Sequence, residues 1–396
     1  MYRYRVYPDP TQEQALLGHC AHARYVWNLA VEQHSWWRPG HTGAPGYLEQ
    51  ARQLTAARAE SPWLAAGSRT VQQQALRDFA QAMSNFFNGT HGRPSWRKAG
   101  RDEGFRITGR RGKQWNVRRL NRHWGEVRVP KAGWVRFRWS RPVPDNVKSF
   151  RLTRDRAGRW HVAFAHIPDP VPAPGNGQVI GIDRGVAVSA ALSSGEMLTI
   201  PGLTKDEQRR LAHLKRKLAK ARKGSNRRSK VKAAIARLRA RETDRRKDWC
   251  EKLSTSLARS FDLIRIENLN IRGMTRSAKG TSEAPGRNVA AKAGLNRAIS
   301  RSGWGLLARR LDDKAPGRVE KVDPAFTSQR CSACGHVDRK SRESQAVFRC
   351  TACGYACNAD VNAAKNIAAG RAVTARGGHR DAGPVNREPQ LLLQSV

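Results

Sequence analysis

A chain of 396 residues has room for two or three domains with real cores. With 39% apolar and 7% aromatic residues it is no disordered polymer, although 27% of it is charged. Lysine and arginine outnumber aspartate and glutamate by 74 to 32, a formal net charge of +42; such a surface repels itself unless a polyanion neutralises it, which points to nucleic acid. No apolar stretch approaches the roughly 20 residues needed to span a bilayer, which argues against a membrane protein. The opening MYRYRVYP lacks the apolar core of a signal peptide. Seven cysteines, four of them in metal-ligand spacing, fit a reducing cytoplasm better than a disulfide scaffold.

In chain order, Tyr2, Tyr4 and Val6 alternate with Arg3 and Arg5, the two-residue period of a half-buried strand ended by Pro8 and Pro10. Thr11 with Gln14 reads as a capping box ahead of a helix carrying Leu16, Cys20, Ala23, Trp27 and Ala30. A second helix runs through Leu76, Phe79, Met83 and Phe86, with Arg69, Gln73 and Arg77 on its opposite face, so residues 10–100 read as a small helical domain. From about 105 to 168 the period returns to two: Val135, Phe137 and Trp139 alternate with Arg136 and Arg138, and a hairpin turns between Asp155 and Gly158. Its basic outward faces suit a nucleic-acid cradle, and the first strand is expected in the same sheet. Six of the twelve tryptophans fall between 96 and 160, mostly as packing.

A Pro/Gly linker follows from Pro168 to Gly177, then a buried strand to Asp183, a second strand from Val186 to Leu192 and a turn at Ser193 to Gly195. Residues 205–247 form a helical pair bent at Gly224, Ser225 and Asn226, with nineteen Lys/Arg against four Asp/Glu, more charge than solubility needs and suited to phosphate contact. A helix with Trp249, Leu253 and Leu257 leads into a strand ending at Glu267; 273–300 reads as a loop with a helical end. A helix with Trp304, Leu307 and Leu311 precedes a strand from Arg318 to Val322, and the tail from 371 reads as disordered.

Cys331, Cys334, Cys350 and Cys353 are spaced C-x2-C-x15-C-x2-C, each pair running into glycine. Paired thiolates on two tight turns are what a tetrahedral, structural zinc site requires, and four protein ligands leave no open position for catalysis. Cys20, Cys250 and Cys357 read as packed thiols. Asp183 and Glu267 each end an apolar strand and stand at the carboxyl edge of a buried sheet, while Asp360 opens an Ala-rich helix. Three converging anions repel one another unless divalent cations hold them, and hard oxygens suit Mg2+ or Mn2+ rather than zinc.

GIDRGV at Asp183, IENL at Glu267, the TSQRCSACG and CTACG knuckle, ADVNAAKNI at Asp360 and the YRVYP and ARYVWN segments together resemble the TnpB family of transposon-associated, RuvC-like nucleases, related to compact type V CRISPR effectors, over residues 1–370. That resemblance implies a multidomain α/β protein: a β-barrel wedge (1–9 and 101–172), an inserted helical recognition domain (10–100), a ribonuclease-H-like RuvC domain (173–330 and 356–370, with the basic pair 205–247) and a zinc-binding insertion (331–355). It implies an RNA-guided, Mg2+-dependent DNA endonuclease in which Asp183, Glu267 and Asp360 hold two catalytic metal ions. It also implies one structural Zn2+ on Cys331, Cys334, Cys350 and Cys353, a guide RNA from the transposon end and double-stranded target DNA as partners, a monomer in complex with RNA, and a prokaryotic cytoplasmic setting at the nucleoid. Many relatives read Asp-Arg-Asp where this chain has Asn358, Ala359 and Asp360; only the last carboxylate is kept. By the same likeness Arg69 and Gln73 fall where a short DNA motif beside the target is read, residue types suited to guanine and adenine edges, although an exposed polar helix face explains them equally. Competing readings are an RNA-guided DNA binder without efficient cleavage and a transposase carrying out strand transfer.

Overall fold

The computed structural model describes residues 2–36, 43–109, 111–113 and 115–370. The tail expected from 371 lies outside them. The chain divides into two compact units, one comprising the residues up to Pro168 with Lys205–Ala240, the other Asp169–Thr204 with the chain from Arg241 onward.

The first unit opens with strand β1 (Tyr2–Tyr7) and helices α1 (Pro10–Ser35), α2 (Tyr47–Glu60), α3 (Pro62–Ala66) and α4 (Arg69–Phe87). The capping box sits two residues earlier than the sequence pattern placed it. Asp9 Oδ1 accepts from Gln12 N at 2.7 Å, Gln12 Oε1 accepts from Asp9 N at 3.2 Å, and Pro10 takes the first helical position, where its missing N–H costs nothing. Strands β2 (Gly104–Thr108), β3 (Val117–Arg119), β4 (Trp124–Val129), β5 (Gly133–Arg138), β6 (Ser149–Arg154) and β7 (Trp160–Phe164) join β1 in an antiparallel sheet of order β2-β6-β7-β1-β5-β4-β3. The alternation read from sequence is the burial seen: Tyr4, Val6, Val135, Phe137, Leu152, Val162 and Phe164 face the core, and the intervening arginines face out.

The expected barrel does not close. Among the described residues no ladder joins β2 to β3, the two ends of the sheet. The buried Trp115 ring packs against Phe150 and Phe164 and donates from Nε1 to Gly109 O at 3.0 Å.

Next along the chain come β8 (Val179–Asp183), β9 (Ala190–Leu192), β10 (Met197–Leu198), α5 (Lys205–Lys220) and α6 (Asn226–Ser260). The second strand is shorter than the pattern from Val186 implied. The basic helix and the Trp249 helix are one unbroken α6, because no Gly or Pro interrupts residues 226–260. The rest comprises β11 (Leu263–Glu267), α7 (Ile271–Met274), α8 (Val289–Ser302), α9 (Trp304–Lys314), β12 (Val319–Val322), β13 (Val347–Arg349), β14 (Ala356–Asn358) and α10 (Ala359–Ala369). The second unit is built on a mixed sheet of order β10-β9-β8-β11-β12, in which β8, β11 and β12 run parallel. Ile180, Ile182, Ile264 and Ile266 supply its core with Leu257, Leu307 and Leu311. On the other face α10 lies directly on β8. The close approach needs Gly181: a Cβ there would stand 2.8 Å from Ala368 Cα, and nearer still to Ala364 O and Ala368 N. No helix among the described residues is long and apolar enough to cross a membrane.

Candidate functional site

Parallel pairing sets Ile182 beside Ile266, so the next residues, Asp183 and Glu267, end neighbouring strands at one edge of the sheet. Asp360 stands in the first turn of α10, where Asn358 caps the helix by accepting from Asp360 N at 2.9 Å and Val361 N at 3.3 Å. The departure at Asn358 thus has a structural use. Asp183 feels the charges of the other two carboxylates. Burial holds the Asp183 carboxyl well above the usual carboxylate range, and the charges of Glu267 and then Asp360 push it further up. Burial also raises Asp360, against the pull of Arg342. Among the described residues their oxygens do not form a set lying wholly within 4.8 Å; the group that does is the four cysteines.

Four further residues belong to the site, and the sequence reading missed them. Arg184, only 5% exposed, donates through Nη2 to the carbonyl of Glu267 and through Nη1 to Trp304 O at 3.5 Å; Trp304 Nε1 in turn donates to Gly185 O at 3.0 Å. A buried cation therefore ties the ends of β8 and β11 to the start of α9. Arg342 reaches Asp360 Oδ1 with Nη2 at 3.4 Å and also lowers the Asp183 carboxyl electrostatically. Asn362, fully buried, donates to Arg330 O at 2.7 Å and accepts from Ser332 N at 2.9 Å. Asn366 donates to Thr327 O at 2.9 Å and Arg330 O at 2.7 Å. One helix thus carries Asp360 and also anchors the loop entering the cysteine knuckle.

The two C-x2-C pairs make the same turn. Gly335 N donates to Cys331 O at 2.9 Å and Gly354 N to Cys350 O at 3.0 Å, both glycines at positive φ (80° and 71°), a conformation that explains why glycine follows each pair. Sγ of Cys331 and Cys353 lie 3.8 Å apart, those of Cys334 and Cys350 3.6 Å. A tetrahedron with Zn–S bonds of about 2.3 Å has edges of ~3.8 Å, so the donor set fits zinc. The backbone N–H of Cys353 draws the Cys350 thiol down to about 6, while burial raises Cys331, and Cys353 stands at about 12, the Tyr355 N–H pulling it down and the Cys334 thiol outweighing it, so the acidity is shared unevenly among the sulfurs. Phe348 and Ala359 fill the space beneath, with Cys357 packed against them. Burial pushes the other two thiols up, Cys20 to about 12 and Cys250 to about 11, which leaves them unreactive.

Arg69 and Gln73 lie a turn apart on α4, Arg69 exposed and Gln73 half-buried. Tyr47 Oη on α2 donates to Gln73 Oε1 at 3.4 Å and accepts from Arg77 Nε at 2.9 Å, so Gln73 is held by its neighbours.

Comparison with known proteins agrees with this architecture. A family model described as probable transposase (OrfB, IS605 type) matches residues 161–278, and one described as a Cas12f1-like TNB domain matches 304–367, the stretch holding the knuckle and Asp360. A helix-turn-helix model matches 1–40, where the described residues form β1 and the single helix α1. The chain is 35% identical over its whole length to the "Putative RNA-guided DNA endonuclease InsQ" of Escherichia coli (strain K12), covering 98% of that protein. The chain belongs to the TnpB family. It is also 32% identical, over 95% of its length and 90% of the relative's, to a "Putative RNA-guided DNA endonuclease" of Streptomyces pristinaespiralis. In fold this TnpB chain resembles the protein in "Cryo-EM structure of the Cas12f1-sgRNA-target DNA complex", with a TM-score of 0.50 and 15% identity over 90% of this chain and 82% of that one.

Proposed function

We propose that this chain is an RNA-guided DNA endonuclease that hydrolyses phosphodiester bonds at the carboxylate cluster of Asp183, Glu267 and Asp360, in a RuvC-type, ribonuclease-H-like domain. The observation that carries the reading is the pairing of β8 with β11, which delivers two carboxylates side by side at a sheet edge with the first turn of α10 beside them. The mutual repulsion felt by Asp183 is the chemistry a divalent cation relieves, and hard oxygen donors fit Mg2+. When bound, such ions would supply an activated water and stabilise the leaving oxygen. Asp183, Glu267 and Asp360 would be their ligands. Arg184 fixes the strand end that carries Glu267, and Arg342 partly neutralises Asp360. Asn362 and Asn366 fix α10 against the knuckle, whose four thiolates we assign to one structural zinc.

We read the antiparallel sheet with 101–172 as the wedge, 10–100 as the recognition domain, with Arg69 and Gln73 reading the motif beside the target, and 173–330 with 356–370 as the nuclease. The partners are a guide RNA from the transposon end and double-stranded DNA, met by a monomer in the prokaryotic nucleoid. The test is plasmid cleavage in Mg2+ by the protein carrying its co-purifying RNA. Asp183→Ala should abolish cutting and leave RNA binding intact; retained cutting refutes the reading. A wild-type protein that binds its target without cutting would favour the non-cleaving reading, and joined ends would favour strand transfer.

A further inference from the structure

Arg342 lies between the two cysteine pairs and turns toward Asp360. Its Nη2 donates to Asp360 Oδ1 and to Gln345 O, each at 3.4 Å. The arginine and aspartate side chains are 22% and 18% exposed, so water screens the pair only partly. The knuckle itself fixes the backbone beside Arg342. Ser341, fully buried, accepts through Oγ from Thr351 N at 3.2 Å; Thr351 Oγ1 donates to Asp338 Oδ2 at 2.7 Å, and Asp338 Oδ1 accepts from Lys340 N at 2.9 Å. Thr351 follows Cys350 directly, so the turn carrying that thiol also holds the arginine at the carboxylate edge.

For an ion pair this contact is weak. A strong guanidinium–carboxylate pair uses two nitrogens at roughly 2.7–2.9 Å, whereas here one nitrogen serves both a carboxylate and a carbonyl. At the other end of the same helix Arg265 shows the strong form, with Nε 2.7 Å from Glu320 Oε2 and Nη1 2.5 Å from Ala368 O. Arg184 is committed to the backbone carbonyls of Glu267 and Trp304. Asp360 therefore carries a cation that is held loosely. Oxygens sharing one octahedral Mg2+ lie no more than about 4.2 Å apart, and among the described residues the oxygens of Asp183, Glu267 and Asp360 do not form a set within 4.8 Å. Bringing them onto a common ion needs a shift of side chains, and Asp360 cannot take part fully while Arg342 holds its oxygen.

We propose that Arg342 competes with the divalent cation for Asp360: it is the counter-ion of the metal-free carboxylate edge, it leaves Oδ1 when the ion binds, and it so sets the metal concentration at which the site fills. The proposal rests on the reading of Asp183, Glu267 and Asp360 as metal ligands. Two cations on one carboxylate repel each other, so removing the guanidinium takes away both a competitor and a repulsive charge. Metal binding then becomes tighter. A residue that only braced Asp360 would act with the opposite sign, because its loss would loosen a ligand and weaken binding. The sign of the effect therefore separates competition from support.

The experiment uses the zinc-loaded full chain freed of its RNA, with Mn2+ as the probe, free Mn2+ read by electron paramagnetic resonance, and melting with and without Mn2+. The binding lost in Asp183→Ala defines the carboxylate edge. Arg342→Gln should bind those ions about two- to five-fold more tightly, the range that a weak, partly screened ion pair is worth. It should also melt lower than wild type without metal and gain more from Mn2+. Arg342→Lys, which keeps the charge, should bind less tightly than Arg342→Gln. Arg349→Gln, which breaks an exposed pair to Glu343 in the same insertion, should leave Mn2+ affinity unchanged. Amide exchange of the wild type serves if Arg342→Gln fails to fold: Mg2+ should speed exchange over 343–346, whose Gln345 carbonyl shares the arginine, and slow it in the first turn of α10. Unchanged or weaker Mn2+ binding by folded Arg342→Gln, or exchange over 343–346 that Mg2+ does not move, overturns the competition and leaves the metal site standing. Wild type that binds no Mn2+ beyond Asp183→Ala sinks the metal-ligand reading and the competition with it.

Discussion

Gly181 gives the sharpest test of how α10 places Asp360. A methyl at this position would stand 2.8 Å from Ala368 Cα and nearer to Ala364 O and Ala368 N, whereas carbon atoms pack at roughly 3.5 to 4.0 Å. All three are backbone atoms, so no rotamer change relieves the clash, and α10 must retreat from β8 by on the order of 1 Å. Overpacking of that kind costs about 1 to 3 kcal/mol. The retreat carries Asp360 away from Asp183 and Glu267, and a displacement of ~1 Å at a reacting centre costs about 100-fold in rate. Gly181→Ala should therefore lower Tm by several degrees and cut plasmid cleavage by about two orders of magnitude. The matched control is Gly294→Ala in α8, where the Cβ meets only the far end of Arg297 at 3.8 Å; there the helix gains up to about 1 kcal/mol and cleavage is unchanged. If Gly181→Ala melts and cuts like wild type, the direct seating of α10 on β8 is wrong, and so is the route by which Asp360 joins the site.

Three further outcomes follow from the same geometry. Asp183→Asn removes a half-buried carboxylate that the charges of Glu267 and Asp360 repel, so in metal-free buffer it should melt higher than wild type while losing cleavage. Because the native carboxyl is raised, the folded state holds its proton above the ordinary range; metal-free stability should fall as pH rises through that window, and the variant should flatten the slope, both read by melting at a series of pH values. Cys350→Ser should lower bound zinc from one to zero equivalents by metal analysis, and chelation of the wild type should expose residues 327–358 to protease; a full zinc equivalent in the variant sinks the four-thiolate assignment. Asn362→Ala leaves Ser332 N without its partner, while Arg330 O keeps the bond from Asn366, at a cost of about 1 to 3 kcal/mol, and hydrogen exchange should show the knuckle entry loosening before the β8–β11 core does.

Much of this was legible because the signals are local. A period of two located β1, β5, β6 and β7, and apolar runs stopping at a carboxylate located the ends of β8 and β11. The cysteine ladder needed only its spacing, since two tight turns determine where four sulfurs go. The misreadings lie where a partner distant in sequence decides. Whether a sheet closes depends on pairing between its two end strands, here β2 and β3, which no local pattern specifies. The sequence reads the basic segment and the Trp249 segment as two helices; they are one α6, and residues 226–260 hold no Gly or Pro to favour a break.

Arg184 and Arg342 show why a carboxylate site is only half readable from one chain. The acids announce themselves by ending strands, but the cations that make their burial tolerable are defined by reach. Arg184 follows Asp183 directly and could pass for any charged loop residue, yet its guanidinium is buried against the carbonyl of Glu267, 83 residues on. Arg342 lies inside the cysteine insertion and points back at Asp360. An insertion that supplies a cation to the carboxylate edge, and whose entry loop is tied by Asn362 and Asn366 to the helix bearing Asp360, is coupled to the site mechanically and electrostatically. Loss of its zinc should therefore be felt at the carboxylates as well as within the knuckle.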